Sequence, residues 1–186
     1  MKRTILIFVI CLSASVSASA QEVTRSAREL AETQLLAEWV GSPADQYKLG
    51  NAYYRGEGVP RDYMQAVKWY RKAADQDMPE AQYMMGVTYD RGEGLPQDFA
   101  EAVAWYRKAA GQGYVAAQFE LGNKYANGEG VPQNFSEAYV WFSLAAAAGH
   151  ETAREERDEY AAKLSREELI SAQQRAKQFF EGVNKE

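Results

Sequence analysis

"GEGVPRDYMQAVKWYRKAA" occupies residues 56–74. It returns as "GEGLPQDFAEAVAWYRKAA" at 92–110 and again as "GEGVPQNFSEAYVWFSLAA" at 128–146, each copy starting 36 residues after the last. Laid over itself at that period, the chain divides into blocks 44–79, 80–115 and 116–151, and eleven columns carry one residue in all three. A fixed period between about 20 and 50 residues is the mark of a solenoid, whose units bury their apolar faces only against their neighbours.

Each block reads as two helices. The first, "ADQYKLGNAYYR" in block one, places Tyr47, Gly50 and Tyr53/Tyr54 at helical spacing. Gly50, Gly86 and Gly122 fall mid-helix, where glycine costs about 1 kcal/mol relative to alanine. Its threefold recurrence implies close approach of a partner helix. Gly56 can take the left-handed conformation that ends a helix, and Gly58 and Pro60 keep it ended. Asp62 then caps the second helix, with Gln65 three residues on to complete a capping box. Asp98/Glu101 and Asn134/Glu137 repeat the arrangement. Tyr63, Ala66, Val67, Tyr70, Ala73 and Ala74 form an amphipathic stripe. Trp69, Trp105 and Trp141 hold one column and are expected to fill the gap between the two helices of a pair.

The flanks differ. Residues 1–20, "MKRTILIFVICLSASVSASA", order two cations, a short apolar run and a small-residue Ala18-Ser19-Ala20 end. That order predicts a signal peptide cleaved after Ala20, and the run is too short to span a bilayer. Cleavage would remove two basic residues and the only Cys, taking the formal charge from -5 to -7. Residues 21–43 are expected to form an N-terminal capping helix carrying Leu30, Leu35, Leu36 and Trp39. Residues 152–186 are expected to form two C-terminal capping helices, the second capped by Ser165 and Glu168, with Leu164, Leu169, Ile170, Ala176, Phe179 and Phe180 sealing the core. No further membrane-spanning segment is read. The acidic balance argues against a nucleic-acid partner, whose phosphates draw on basic patches.

These residues resemble the Sel-one-like repeat family, a relative of the tetratricopeptide repeat. The match rests on Gln46, Leu49, Gly50, Tyr53, Gly56, Gly58, Val59, Asp62, Ala66, Trp69, Tyr70, Ala73 and Ala74, with copies one and two periods later. Met85, Leu95, Asn134 and Phe142 are mild departures. The resemblance implies an all-α, right-handed superhelix of three 36-residue helix pairs with helical caps, acting as an adaptor in envelope signalling, polymer export or host contact. Some exported members carry a disulfide in every repeat and are linked to β-lactam binding or hydrolysis. Residues 21–186 hold no Cys, so that branch does not transfer.

Candidate chemistry is thin. Glu57, Glu93 and Glu129 form a row that could bind cations, but reads better as loop carboxylates accepting local N–H bonds or pairing with Arg71 or Arg107. The "GEG" loops lack the third glycine and the preceding strand of a phosphate-binding fingerprint. His150 is the only histidine, and its place at a helix boundary reads as a cap or a solvated side chain. No serine after residue 20 has a lysine three positions on. No catalytic residue, cofactor or metal ligand is assigned, and no enzyme activity is expected. The aromatic columns Tyr63/Phe99/Phe135 and Tyr70/Tyr106/Phe142 could stack on a sugar, but their spacing reads as core.

Binding surface remains. In tetratricopeptide-like stacks the first helix of each pair lines the concave groove. The resemblance places there Tyr47, Asn51, Tyr54 and Arg55, then Tyr83, Val87, Asp90 and Arg91, then Phe119, Asn123, Ala126 and Asn127. An Asn amide can bond a peptide at both its groups, and Arg can clamp a carboxylate. Non-identity down columns 54 and 55 is what a reading surface would show. The expectation is a periplasmic or secreted, monomeric adaptor that holds a peptide or protein partner through Tyr47, Asn51, Tyr54, Arg55, Tyr83, Asp90, Arg91, Asn123 and Asn127. The alternative is a cell-wall or glycan-binding module, and a hydrolase of envelope substrates ranks third.

Overall fold

The computed structural model describes residues 41–183. The signal peptide and the N-terminal capping helix read from the sequence lie outside the described residues. Eight helices follow one another: α1 (Pro43–Arg55), α2 (Tyr63–Ala74), α3 (Pro79–Arg91), α4 (Phe99–Gly111), α5 (Val115–Asn127), α6 (Phe135–Ala147), α7 (Glu151–Ala161) and α8 (Arg166–Val183). Among the described residues there is no strand. Each repeat is an antiparallel pair, α1 with α2, α3 with α4, and α5 with α6. The pairs stack through α2 on α3 and α4 on α5. The architecture is an all-α repeat superhelix.

The mid-helix glycines do what their cost implies. A Cβ on Gly50 would lie 2.6 Å from the Tyr70 ring, and one on Gly86 would lie 2.5 Å from the Tyr106 ring. Gly122 stands in the same relation to Phe142. Tyr70, Tyr106 and Phe142 are buried at 0, 1 and 0% exposure, so this aromatic column is core. Gly56, Gly92 and Gly128 end α1, α3 and α5 in the left-handed conformation, at φ 75, 70 and 75°.

The second helices start on side-chain caps. Asp62 accepts from the Gln65 N–H at 3.1 Å, Asp98 from Ala100 and Glu101, and Asn134 from Glu137. The expected reciprocal half of the box is replaced. The backbone N–H groups of Asp62, Asp98 and Asn134 donate to the carbonyls of Tyr53, Tyr89 and Tyr125 on the first helix of the same pair. The loop geometry brings that carbonyl into reach, so residues 65, 101 and 137 need not answer. The full reciprocal box forms at Ser165 and Glu168.

The tryptophans differ from expectation in where they pack. Trp105 of α4 belongs to a buried cluster with Ala66, Val67, Tyr70, Ala73 and Ala74 of α2 and Ala81 and Met85 of α3. It therefore joins one repeat to the previous one rather than filling its own pair. The alanines of α2 leave room for an indole delivered by the next unit.

At the C-terminal end, α8 packs on α6, with Trp141 edge-on to Phe179 at 5.1 Å and Arg175 paired with Glu137. Column 68/104/140 reads Lys, Ala, Val and column 72/108/144 reads Lys, Lys, Leu. The polar outer face of the second helix turns apolar in the repeat that α8 covers, where Val140 and Leu144 are buried. The proposed seal is partial. Leu164, Leu169 and Ala176 pack on the core, whereas Ile170, Phe179 and Phe180 stay 47, 41 and 51% exposed because α8 buries only its α6-facing side.

A glutamine ladder adds a polar seam inside each pair. Gln46 Oε1 accepts from Gln76 Nε2, and Gln82 Oε1 from Gln112 Nε2, both at 2.8 Å. The third pair has Ala148 in that column, and Gln118 Oε1 is buried without a hydrogen-bond partner. Ala148 has φ -82 and ψ 5°, close to the -90 and 8° of Gln112. Ala148→Gln is therefore expected to stabilise the protein by about 1 kcal/mol, the worth of a restored buried hydrogen bond, measured as a raised urea midpoint at unchanged slope.

Candidate functional site: the face of the first helices

The first helix of each pair turns the columns of Tyr47, Asn51, Tyr54 and Arg55 to one side, and their surroundings differ repeat by repeat. Tyr47 is half-buried, its ring tilted on Tyr70 at 5.8 Å. Asn51 Oδ1 accepts from the Tyr70 hydroxyl at 2.8 Å. Tyr54 donates to Glu93 Oε2 at 2.7 Å and accepts from Arg91 at 3.2 Å. Burial, then the Glu93 bond, raises the Tyr54 phenol above its ordinary 10.0. For Arg91 burial opposes the charge, but the fields of Tyr54 and Glu93 prevail and raise it above 12.5. Arg55 is exposed and lies 3.6 Å from the Glu57 carboxylate.

The second repeat departs. Val87 replaces Asn51 in its column, so the Tyr106 hydroxyl turns to Asp90 Oδ2 at 3.4 Å. Asp90 also faces the third repeat, where Lys124 Nζ bridges it at 2.5 Å and Glu129 at 2.7 Å. At the junction of repeats one and two, Tyr54 donates to Glu93 directly. At the next junction both groups are carboxylates, and a cation between them removes the like-charge conflict. Lys124 is 5% exposed and lies 4.7 Å over the Phe99 ring. Burial pulls its charge down, but the bonds to Asp90 and Glu129 outweigh that and hold it above 10.5. The clamp is thus fully present at neutral pH and is lost only as pH rises through that raised value.

In the third repeat Asn123 donates to Glu120 Oε2 at 3.3 Å, and Asn127 is exposed. Phe119 stacks on His150 at 4.4 Å, and His150 Nδ1 accepts the Ala153 N–H as the cap of α7. The sequence reading of His150 as a cap matches this geometry.

Two sequence expectations change. Glu57, Glu93 and Glu129 do not pair with Arg71 or Arg107. Those arginines donate to the hydroxyls of Tyr89 and Tyr125 in the next repeat at 2.9 and 2.5 Å, since each second-helix Arg points forward along the stack. Variation down columns 51 and 54 also has an internal cause. Asn51 serves Tyr70, Asp90 serves Tyr106 and Lys124, and Phe142 asks for nothing. Asn51 and Asp90 are thus engaged within the chain, while Arg55 and Asn127 are the exposed members with the freest side chains. Lys124, Glu120 and Tyr114 were missed. Lys124 stands where the other repeats have Ala52 and Thr88, and this break in a structural column was its one sequence signal.

Among the described residues, no group of three His, Cys, Asp or Glu side chains could hold a metal ion, and no helix is long and apolar enough to cross a membrane.

Known proteins match this architecture. The family model for the Sel1 repeat matches residues 43–78, 79–114 and 115–150. A protective antigen present in uropathogenic Escherichia coli strains, with an SLR fold, is 41% identical at TM-score 0.65. The match covers 67% of this chain and 26% of that one. A Sel1 repeat protein from Oxalobacter formigenes is 31% identical at TM-score 0.66 over 76% of this chain and 59% of that one. The chain thus spans about a quarter of the first relative's length and under two thirds of the second's. Helicobacter pylori cysteine rich protein B shares the fold at 19% identity and TM-score 0.55. No curated protein matches the chain. Three tandem matches over more than half the sequence, on a stack of helix pairs with the geometry above, place this chain in the Sel1 repeat family, a scaffold fold typically used for protein–protein interaction.

Proposed function

We propose that this chain is an exported adaptor that holds a peptide or helix of a protein partner against the face of its first helices. The observation that carries the reading is the contrast between columns. Those of the second helices are closed into core, whereas Tyr47, Tyr54, Tyr83, Arg55, Arg91 and Asn127 stay half-buried or exposed on successive first helices. A row of rigid aromatic area with charged and amide ends suits a polypeptide, because tyrosine supplies contact at little entropic cost. The order of charge, apolar run and Ala18-Ser19-Ala20 in residues 1–20 supports export to the periplasm or beyond.

The test is affinity capture from cross-linked envelope extract of the source cell, with the native protein beside Arg55→Ala/Arg91→Ala. A protein enriched on the native bait and reduced about tenfold on the variant supports the reading. The variant should melt within a few degrees of the native protein, since exposed ion pairs contribute about 0–1 kcal/mol each. Equal capture by both baits would remove these arginines from the site. Capture of cell-wall glycan in place of protein would favour the carbohydrate-binding alternative, which draws on the same tyrosine rings.

A further inference from the structure

One cluster on this face is not used by the fold. Tyr83 and Tyr114 lie 5.2 Å apart between ring centroids at 46°, and Tyr83 also leans on Tyr106 at 5.7 Å. Tyr47, one repeat back in the column of Tyr83, leans on Tyr70 in the same manner. Tyr70, Tyr106 and Tyr54 spend their hydroxyls on Asn51, Asp90 and Glu93. Those of Tyr47, Tyr83 and Tyr114 have no hydrogen-bond partner among the described residues, and all three rings are half-buried.

Carboxylates border them. Tyr114 is raised above 10.0 by burial, then by Tyr47 and Glu80, and no cation acts on it. Tyr83 is raised by burial, then by Glu120 and Tyr114, with Arg91 opposing. These groups therefore share one field. Arg91 is occupied by Tyr54. Neither Glu80 nor Glu120 has an ion-pair partner among the described residues, and Glu120 accepts only from Asn123.

We infer that Tyr47, Tyr83 and Tyr114, rimmed by Glu80 and Glu120, form an aromatic cage for a basic side chain, lysine or arginine, of a polypeptide partner. The negative faces of the rings attract a cation, the two carboxylates neutralise it, and the free hydroxyls can accept from its N–H groups. The charge balance decides against an acidic or neutral occupant, because a carboxylate would meet Glu80 and Glu120. The cage belongs to the middle of the stack. Column 78/114/150 reads Met, Tyr, His, and at the next junction His150 is already stacked on Phe119 and capping α7. This inference rests on the adaptor reading and names the chemistry of the residue the partner inserts.

The test uses the purified protein carrying ring-labelled tyrosine, titrated with N-acetyl-arginine amide and N-acetyl-lysine amide, with N-acetyl-glutamine amide as the neutral control. The tyrosine resonances are assigned with single Tyr→Phe variants. The expected result is saturable shifts at Tyr47, Tyr83 and Tyr114 with the two cations and none with the control. Glu80→Gln/Glu120→Gln should weaken binding about tenfold. Tyr114→Met, which installs the residue found in the first repeat's column, should abolish it while the helical melt is retained. Shifts equal for cation and control, shifts spread equally over the buried Tyr70 and Tyr106, no saturable shift at all, or affinity indifferent to Glu80→Gln/Glu120→Gln would each overturn the cage. A captured partner lost on Arg55→Ala/Arg91→Ala but kept on Glu80→Gln/Glu120→Gln would overturn it too, and would leave the adaptor reading standing.

Discussion

Gly130→Ala is expected to destabilise the protein by about 3 kcal/mol or more, read from urea unfolding followed by circular dichroism. Two terms add. Gly130 has φ 72°, and holding alanine in that left-handed region costs about 1–2 kcal/mol. Its Cβ would also run into the Phe99 carbonyl and the Ala100 N, which are backbone atoms at the start of α4. Side chains can turn aside, but that helix start is held by Asp98 and by the stack beneath it. Relief would require parting the loop of repeat three from repeat two, and overpacking of a fixed site costs about 1–3 kcal/mol more. Gly149→Ala is the control. It has φ 94° with nothing within 4 Å of a Cβ, so only the strain term remains. Equal losses in the two variants would show that the inter-repeat contact contributes nothing.

Trp105→Ala is expected to cost about 3–5 kcal/mol, the usual range for a large aromatic truncated in a packed core. The indole is 7% exposed and closes the cluster between α2, α3 and α4. Its removal takes away the wedge between repeats one and two, so the loss should appear with reduced cooperativity, in keeping with a stack whose stability is a sum of unit and interface terms. The Lys108 ammonium 3.9 Å over that ring loses its partner as well. A loss under about 1 kcal/mol would mean that the alanines of α2 close on each other without it.

The helix pairs were legible residue by residue. Gly50 to Gly122 announced a close approach, and the rings of Tyr70, Tyr106 and Phe142 proved to be what approaches. Asp62, Asp98 and Asn134 announced caps and are caps. Such features act within one turn or one pair, so the information needed to read them lies within a few residues. The candidate binding columns were legible only as positions. Tyr54, Asp90 and Ala126 look like free variation until Glu93, Lys124 and Glu129 are seen beside them in the next repeat. The forward reach of Arg71 to Tyr89 and Arg107 to Tyr125 was hidden for the same reason.

The order of residues alone specified the period, the pairing of helices, the caps and the glycine stops, because each is a local or repeated energetic choice. The stacking of repeats decided which polar groups were consumed and which were left open. A hydrogen bond between neighbours in a stack depends on a few ångströms of relative placement, which no column of identical residues encodes. Asn51 and Asp90 were thereby drawn inward, while Tyr47, Tyr83 and Tyr114 kept their hydroxyls available for a partner.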